Sequence, residues 1–146
     1  MIDRDELYSL VPHRGKMFLL SRILEFNSVE YSAQAEYDVR EDCLFYDPAI
    51  GGVPSWVCIE FAAQVVSAVF GLKRREIGKE PRLGFILSVS MMKTGIPVFN
   101  AGSTLAIEVK KINCMDLTYT FDCSAFLDGK NVFKAQITAV DVDDEK

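Results

Sequence analysis

At 146 residues the chain has room for one domain with a sizeable core. Apolar residues make up 49% of it, with ten Phe, five Tyr and one Trp, which excludes disorder as a general description. A net charge of −5 offers no basic field to a phosphate backbone and argues against a nucleic-acid binder.

The first residues, Met1 to Glu6, are acidic and polar where a signal peptide would be basic and then apolar. No apolar run approaches the roughly 20 residues of a membrane span, so the expectation is a soluble, cytoplasmic protein. Residues 2–10 read as a short amphipathic helix stopped by Pro12. The second half of residues 18–26 reads as a strand, and Asn27-Ser28 as a turn. From 29 to 39 the alternation is strict, with Val29, Tyr31, Ala33, Ala35, Tyr37 and Val39 on one side. That is the period of a half-buried strand.

A loop over 41–54, with Pro48, Gly51, Gly52 and Pro54, leads into residues 56–70, which are apolar on nearly every face. This predicts an interior helix that starts after Pro54-Ser55 and ends at Gly71. Glu60 and Gln64 are its only long polar side chains, and an ionised carboxylate in such surroundings is costly without a partner. Two readings follow: a site of chemistry, or a core helix whose Glu reaches an edge. After a charged stretch (73–82) come strands over 83–91, 103–112, 117–127 and 132–140. Asp128-Gly129-Lys130-Asn131 forms a hairpin turn, and 141–146 is a charged tail.

Cys43, Cys58, Cys114 and Cys123 are too widely spaced for a CxxC pair and read as reduced thiols. With one histidine in the chain no His-rich zinc site is available, and no metal is expected. His13 could serve a Ser-His-Asp triad, but no Gly-x-Ser-x-Gly motif accompanies it. One helix among many strands is best buried if the sheet curls around it, an α+β arrangement. No repeat or linker divides the chain, so 1–146 is a single domain. A curled sheet leaves edges that a second copy can pair with.

Residues 10–24, beginning Leu10-Val11-Pro12-His13-Arg14-Gly15-Lys16-Met17, resemble the N-terminal signature of hot-dog-fold 3-hydroxyacyl-acyl-carrier-protein dehydratases. Gly52-Val53-Pro54-Ser55-Trp56 through Glu60 to Gln64 resembles the start of their central helix, and Phe99-Asn100-Ala101-Gly102 their turn into a later strand. The Pro54-Ser55-Trp56 variant is similar to the dehydratase-like branch of aryl-polyene pathways. The resemblance implies an antiparallel sheet wrapped around one long central helix and no cofactor. It also implies a carrier-protein or CoA thioester as substrate, and a homodimer or hot-dog heterodimer.

In that family a loop histidine removes the proton α to the thioester and a helix carboxyl helps the β-hydroxyl leave as water. The carboxyl carries over to Glu60. The place of the histidine falls on Tyr46, a poor base at neutral pH. His13 is then the remaining imidazole, as base or as a partner orienting Glu60; otherwise it only satisfies backbone groups in a turn. Ser55 stands where the family has a glycine whose N–H polarises the thioester carbonyl, and its N–H could do the same while its hydroxyl caps the helix. Gln64, one turn after Glu60, could orient that carboxyl. Tyr46 and Asp47 would line the cavity, and Trp56 and Phe61 would border an apolar tunnel. The basic stretch Lys73, Arg74, Arg75, Lys79 and Arg82 would either steer an acidic carrier or merely suit the helix dipole. Three functions stay open: a dehydratase-like enzyme, a hot-dog thioesterase, and a non-catalytic subunit that binds carriers or pairs with an active partner.

Overall fold

The structure is a computed structural model that describes residues 1–11, 13–79 and 85–141, the side chains of Lys16 and Phe85 excepted. Pro12, Arg82, the first two residues of the strand expected over 83–91, and the tail after Asp141 lie outside them.

Six antiparallel strands form one sheet in the order β1-β2-β6-β7-β8-β4. They are β1 (Arg22–Asn27), β2 (Ser32–Asp38), β4 (Phe85–Thr94), β6 (Thr104–Met115), β7 (Thr118–Leu127) and β8 (Lys130–Val140). Two short strands, β3 (Gly52–Pro54) and β5 (Val98–Asn100), pair separately. Helix α1 spans Arg4–Tyr8 and helix α2 Cys58–Glu76. The strands are where period-2 alternation runs longest: Leu105, Ile107 and Val109 of β6, and Tyr119, Phe121, Cys123 and Ala125 of β7, all face the core.

Helix α2 is longer than expected. It runs through Gly71 to Glu76, because Gly71 serves packing and not termination. A Cβ there would lie 2.3 Å from the Leu10 carbonyl oxygen, so only glycine lets the N-terminal segment cross the helix this closely. Segment 55–76 is long and apolar enough to cross a bilayer, but 72% of its most apolar window is buried inside the fold. It packs chiefly on β2, β6, β7 and β8. On its inner face Phe61 stacks on Tyr37 of β2 with centroids 4.0 Å apart.

The strand expected over 29–39 is shorter. Ala33, Ala35, Tyr37 and Val39 are buried, whereas Val29 is exposed and Tyr31 has φ +51, so the chain is still turning there. The hairpin turn narrows to Asp128-Gly129, with φ of +51 and +80. Strand β4 ends the sheet and exposes Ile86, Leu87, Val89, Met91 and Met92.

Candidate active site

The start of α2 is fixed by the small sheet. Gly52 is required, since a Cβ would meet the Phe99 carbonyl oxygen at 2.1 Å. The β3–β5 pairing continues one residue beyond Pro54, where the Ser55 N–H donates to the Pro97 carbonyl at 2.9 Å. That bond corrects the expectation for Ser55: its amide is spent and cannot polarise a substrate carbonyl. Its side chain is buried, and neither the 3-10 turn Ser55–Val57 nor α2 has a side-chain cap. The Trp56 amide, one residue on, has no acceptor among the described residues.

Glu60 is likewise corrected. It is exposed, not enclosed in an apolar slot, and the Trp56 side chain is 61% exposed. The sheet covers the opposite side of the helix, leaving a stripe of Trp56, Ile59, Glu60, Ala63 and Ser67 wholly or partly uncovered. Trp56 and Phe61 do not border a common tunnel, for Phe61 is fully buried. A cleft of about 390 Å3 between the loop after His13 and the end of β2 is lined by Phe18, Leu19, Arg22, Tyr37, Asp38 and Leu44, among others, but not by Glu60.

Gln64 does not orient Glu60. Its carboxamide, 2% exposed, donates from Nε2 to the Met17 carbonyl at 2.6 Å and accepts the Leu19 N–H at 2.9 Å. A buried carboxamide needs partners at both ends, and the nearest open backbone groups belong to this loop rather than to the helix surface.

The loop it holds carries His13. Arg14 curls the chain about its guanidinium, donating to the carbonyls of Tyr8, Val11 and His13 at 3.1, 2.8 and 2.8 Å. The same group sits 4.4 Å from the centre of the Tyr8 ring. His13 is half-buried, and its Nδ1 is enclosed without a hydrogen-bond partner. Burial lowers its pKa below the ordinary histidine value; the Glu60 charge opposes this, and Arg14 adds to it. One chain therefore brings His13 and Glu60 within reach of each other's charge.

Tyr46 is half-buried in the loop before β3, its amide donating to the Cys43 carbonyl at 3.1 Å. Among the described residues no hydrogen bond joins it to Glu60 or His13. Among the same residues no three or more His, Cys, Asp or Glu side chains gather as a metal site. Cys58 and Cys123 are buried, and burial pushes the Cys123 thiol up to about 12.

The basic end of α2 is largely engaged within the fold. Lys73 donates to the Ser28 carbonyl at 2.9 Å and lies over the Tyr31 ring; Arg75 pairs with Glu6 at 2.9 Å, and Arg74 is buried. The motif signals that sequence reasoning passed over were Arg14 and the backbone of Met17 and Leu19. A cation beside a glycine in a short loop, facing a helix with one unpaired Gln, points to such a tie.

A long helix laid in a curled antiparallel sheet, with a half-buried imidazole in the loop tied to its first turns and a carboxylate on its open face, defines a hot-dog-fold protein. The family model for the ApeP-like proteins, ApeP dehydratase, matches residues 6–146, and the chain belongs to that family. Its function is dehydratase-like. The 3-hydroxyacyl-[acyl-carrier-protein] dehydratase FabZ of Bartonella quintana is 27% identical over 146 residues, covering 99% of this chain and 92% of the relative. FabZ of Bradyrhizobium diazoefficiens is 25% identical, covering 96% and 92%. Among solved structures, the dehydratase heterocomplex ApeI:P from Xenorhabdus doucetiae superposes with a TM-score of 0.85 at 20% identity, over 94% of this chain and 91% of that one. A hypothetical thioesterase from Streptococcus pneumoniae, with coenzyme A, shares the fold at a TM-score of 0.64 and 15% identity, over 82% and 83%. The thioesterase alternative is not favoured.

Proposed function

We propose that this chain is a lyase that removes water from 3-hydroxyacyl thioesters carried on acyl carrier protein, giving the trans-2-enoyl product. The observation that carries this is the match to the dehydratase family over residues 6–146, with His13 and Glu60 within reach of each other's charge. The imidazole takes the α proton as the Cα–H bond breaks. The electron pair of that bond forms the Cα=Cβ bond while the Cβ–O bond breaks. The imidazolium, stabilised by the Glu60 carboxylate, passes the same proton to the departing hydroxyl, which leaves as water, and the imidazole is back in its starting form. His13 is suited to the first step because a lowered pKa keeps it neutral, and so basic, at pH 7. The free Trp56 amide, in place of Ser55, is suited to hold the thioester oxygen. Tyr46 and Trp56 would border the acyl chain. A soluble, cytoplasmic protein is part of the same reading.

The exposure of Glu60 and Trp56 supports a second element. The site is roofed only when another hot-dog chain, a second copy or a different subunit, covers this face. A different partner is in keeping with the structural neighbour being a heterocomplex. The test is intact-mass analysis of a 3-hydroxyacyl carrier and a saturated acyl carrier, each with this chain alone and with a candidate partner. Loss of about 18 mass units from the first, with the second untouched, is expected. His13→Ala and Glu60→Gln should each lower the rate at least roughly 100-fold. Full activity in His13→Ala would remove the histidine from the mechanism, and no water loss with or without a partner would leave a carrier-binding subunit.

A further inference from the structure

We infer that Gln64 is a positioning residue: by latching residues 17–19 to helix α2, it holds the loop that carries His13 against the helix that carries Glu60. The inference rests on the dehydratase reading for its effect on turnover. The geometry is a two-point clamp. The carboxamide donates to Met17 and accepts from Leu19, partners 47 and 45 residues away in sequence. Glu60 lies one turn earlier on the same helix, about 6 Å along its axis. The loop therefore docks one turn from the carboxylate it must serve.

Between His13 and the clamp the backbone is short and braced. The Met17 N–H donates to the Arg14 carbonyl at 3.2 Å, and the Phe18 N–H to the Gly15 carbonyl at 3.1 Å. Arg14 ties the other side to Tyr8 and Val11. A unit so tied moves as a body, so a clamp at one end fixes the ring at the other. Among the described residues the ring's Nδ1 has no hydrogen-bond partner to fix it. The charged groups facing the imidazole are Glu60 from α2 and Arg14 from its own loop. Releasing the clamp frees the ring to move into water and away from Glu60.

His13 is the sole histidine of the chain, so its ring resonances are unambiguous in a carbon–proton NMR titration of the full-length protein. The probe is the proton itself, and no substrate is needed. In the native protein the midpoint should lie below about 6.5 and fall further in Glu60→Gln, which removes the opposing charge. Gln64→Met keeps length and bulk but neither hydrogen bond. In it the midpoint should rise toward the ordinary value, and Glu60→Gln should no longer shift it. Gln64→Asn, polar but one methylene short, should move it in the same direction and provides the test if the Met variant fails to fold. In the active protein kcat should fall about 100-fold with little change in KM. A midpoint, and a response to Glu60→Gln, that stay native in Gln64→Met would overturn the inference. Failure of the dehydratase reading would appear instead in the mass assay, which the titration does not need.

Discussion

Arg22 shows how side chains order the mouth of the cleft beside β2. It pairs with both Glu36 and Asp38, and Thr104 donates to the same Asp38 at 3.0 Å. Burial alone would raise the Asp38 pKa, but the bonds from Arg22 and Thr104 more than cancel it and hold the carboxyl below its usual value. A depressed folded pKa means the stabilisation is complete above the unfolded value near about 4 and is lost as pH falls through the folded one. Asp38→Asn should lower the melting temperature at pH 7 by a few degrees, about 1 kcal/mol, and make no difference near pH ~2. Equal losses at both pH values would show that the charge is not involved. Glu60 and His13 were legible as residue types because an acid on an apolar helix and a lone imidazole stand out. The partners of Gln64 and Ser55 were not. Sequence shows neighbours along the helix, whereas their bonds go to backbone more than forty positions away.

Helix α2 and the strands β6, β7 and β8 were legible because their periodicity is long and uniform. The short strands β3 and β5 were missed: three residues give no period, and their pairing is set by the close approach at Gly52. The helix end was misread at Gly71 because a glycine inside a helix for packing and one that ends it look alike in sequence. Two effects compete there. Alanine favours a helix by about 1 kcal/mol over glycine, but a methyl 2.3 Å from the Leu10 carbonyl oxygen costs about 1–3 kcal/mol or more in forced displacement. The clash should win, so Gly71→Ala is expected to lower the melting temperature; a rise would mean the N-terminal segment yields freely.

The sheet order leaves β4 at one end with apolar side chains on both of its faces, from Ile86 to Met92. Alternation could not foretell this, because both faces of the strand are uncovered in the single chain. Such an edge is a template for another strand. If the second chain that roofs Glu60 pairs here, Leu87→Lys should shift the protein in light scattering from dimer to monomer and reduce turnover with it. An unchanged mass would place the joint elsewhere. The same reasoning would explain why the exposure of Glu60 escaped the sequence: if another molecule completes that face, the face carries the apolar signature of an interior.

The opposite margin of the sheet carries one bridge from the first residues of the chain. Ile2 and Ile23 exchange backbone hydrogen bonds of 2.8 and 3.0 Å alongside β1. With that border stitched, strand addition can proceed from one side only, so two chains joined through β4 leave no comparable template to propagate from. Assembly through β4, where it occurs, would then end at a pair and not grow into a fibre. Cutting the first three residues away would remove that stop, and ribbons visible by electron microscopy would be its mark.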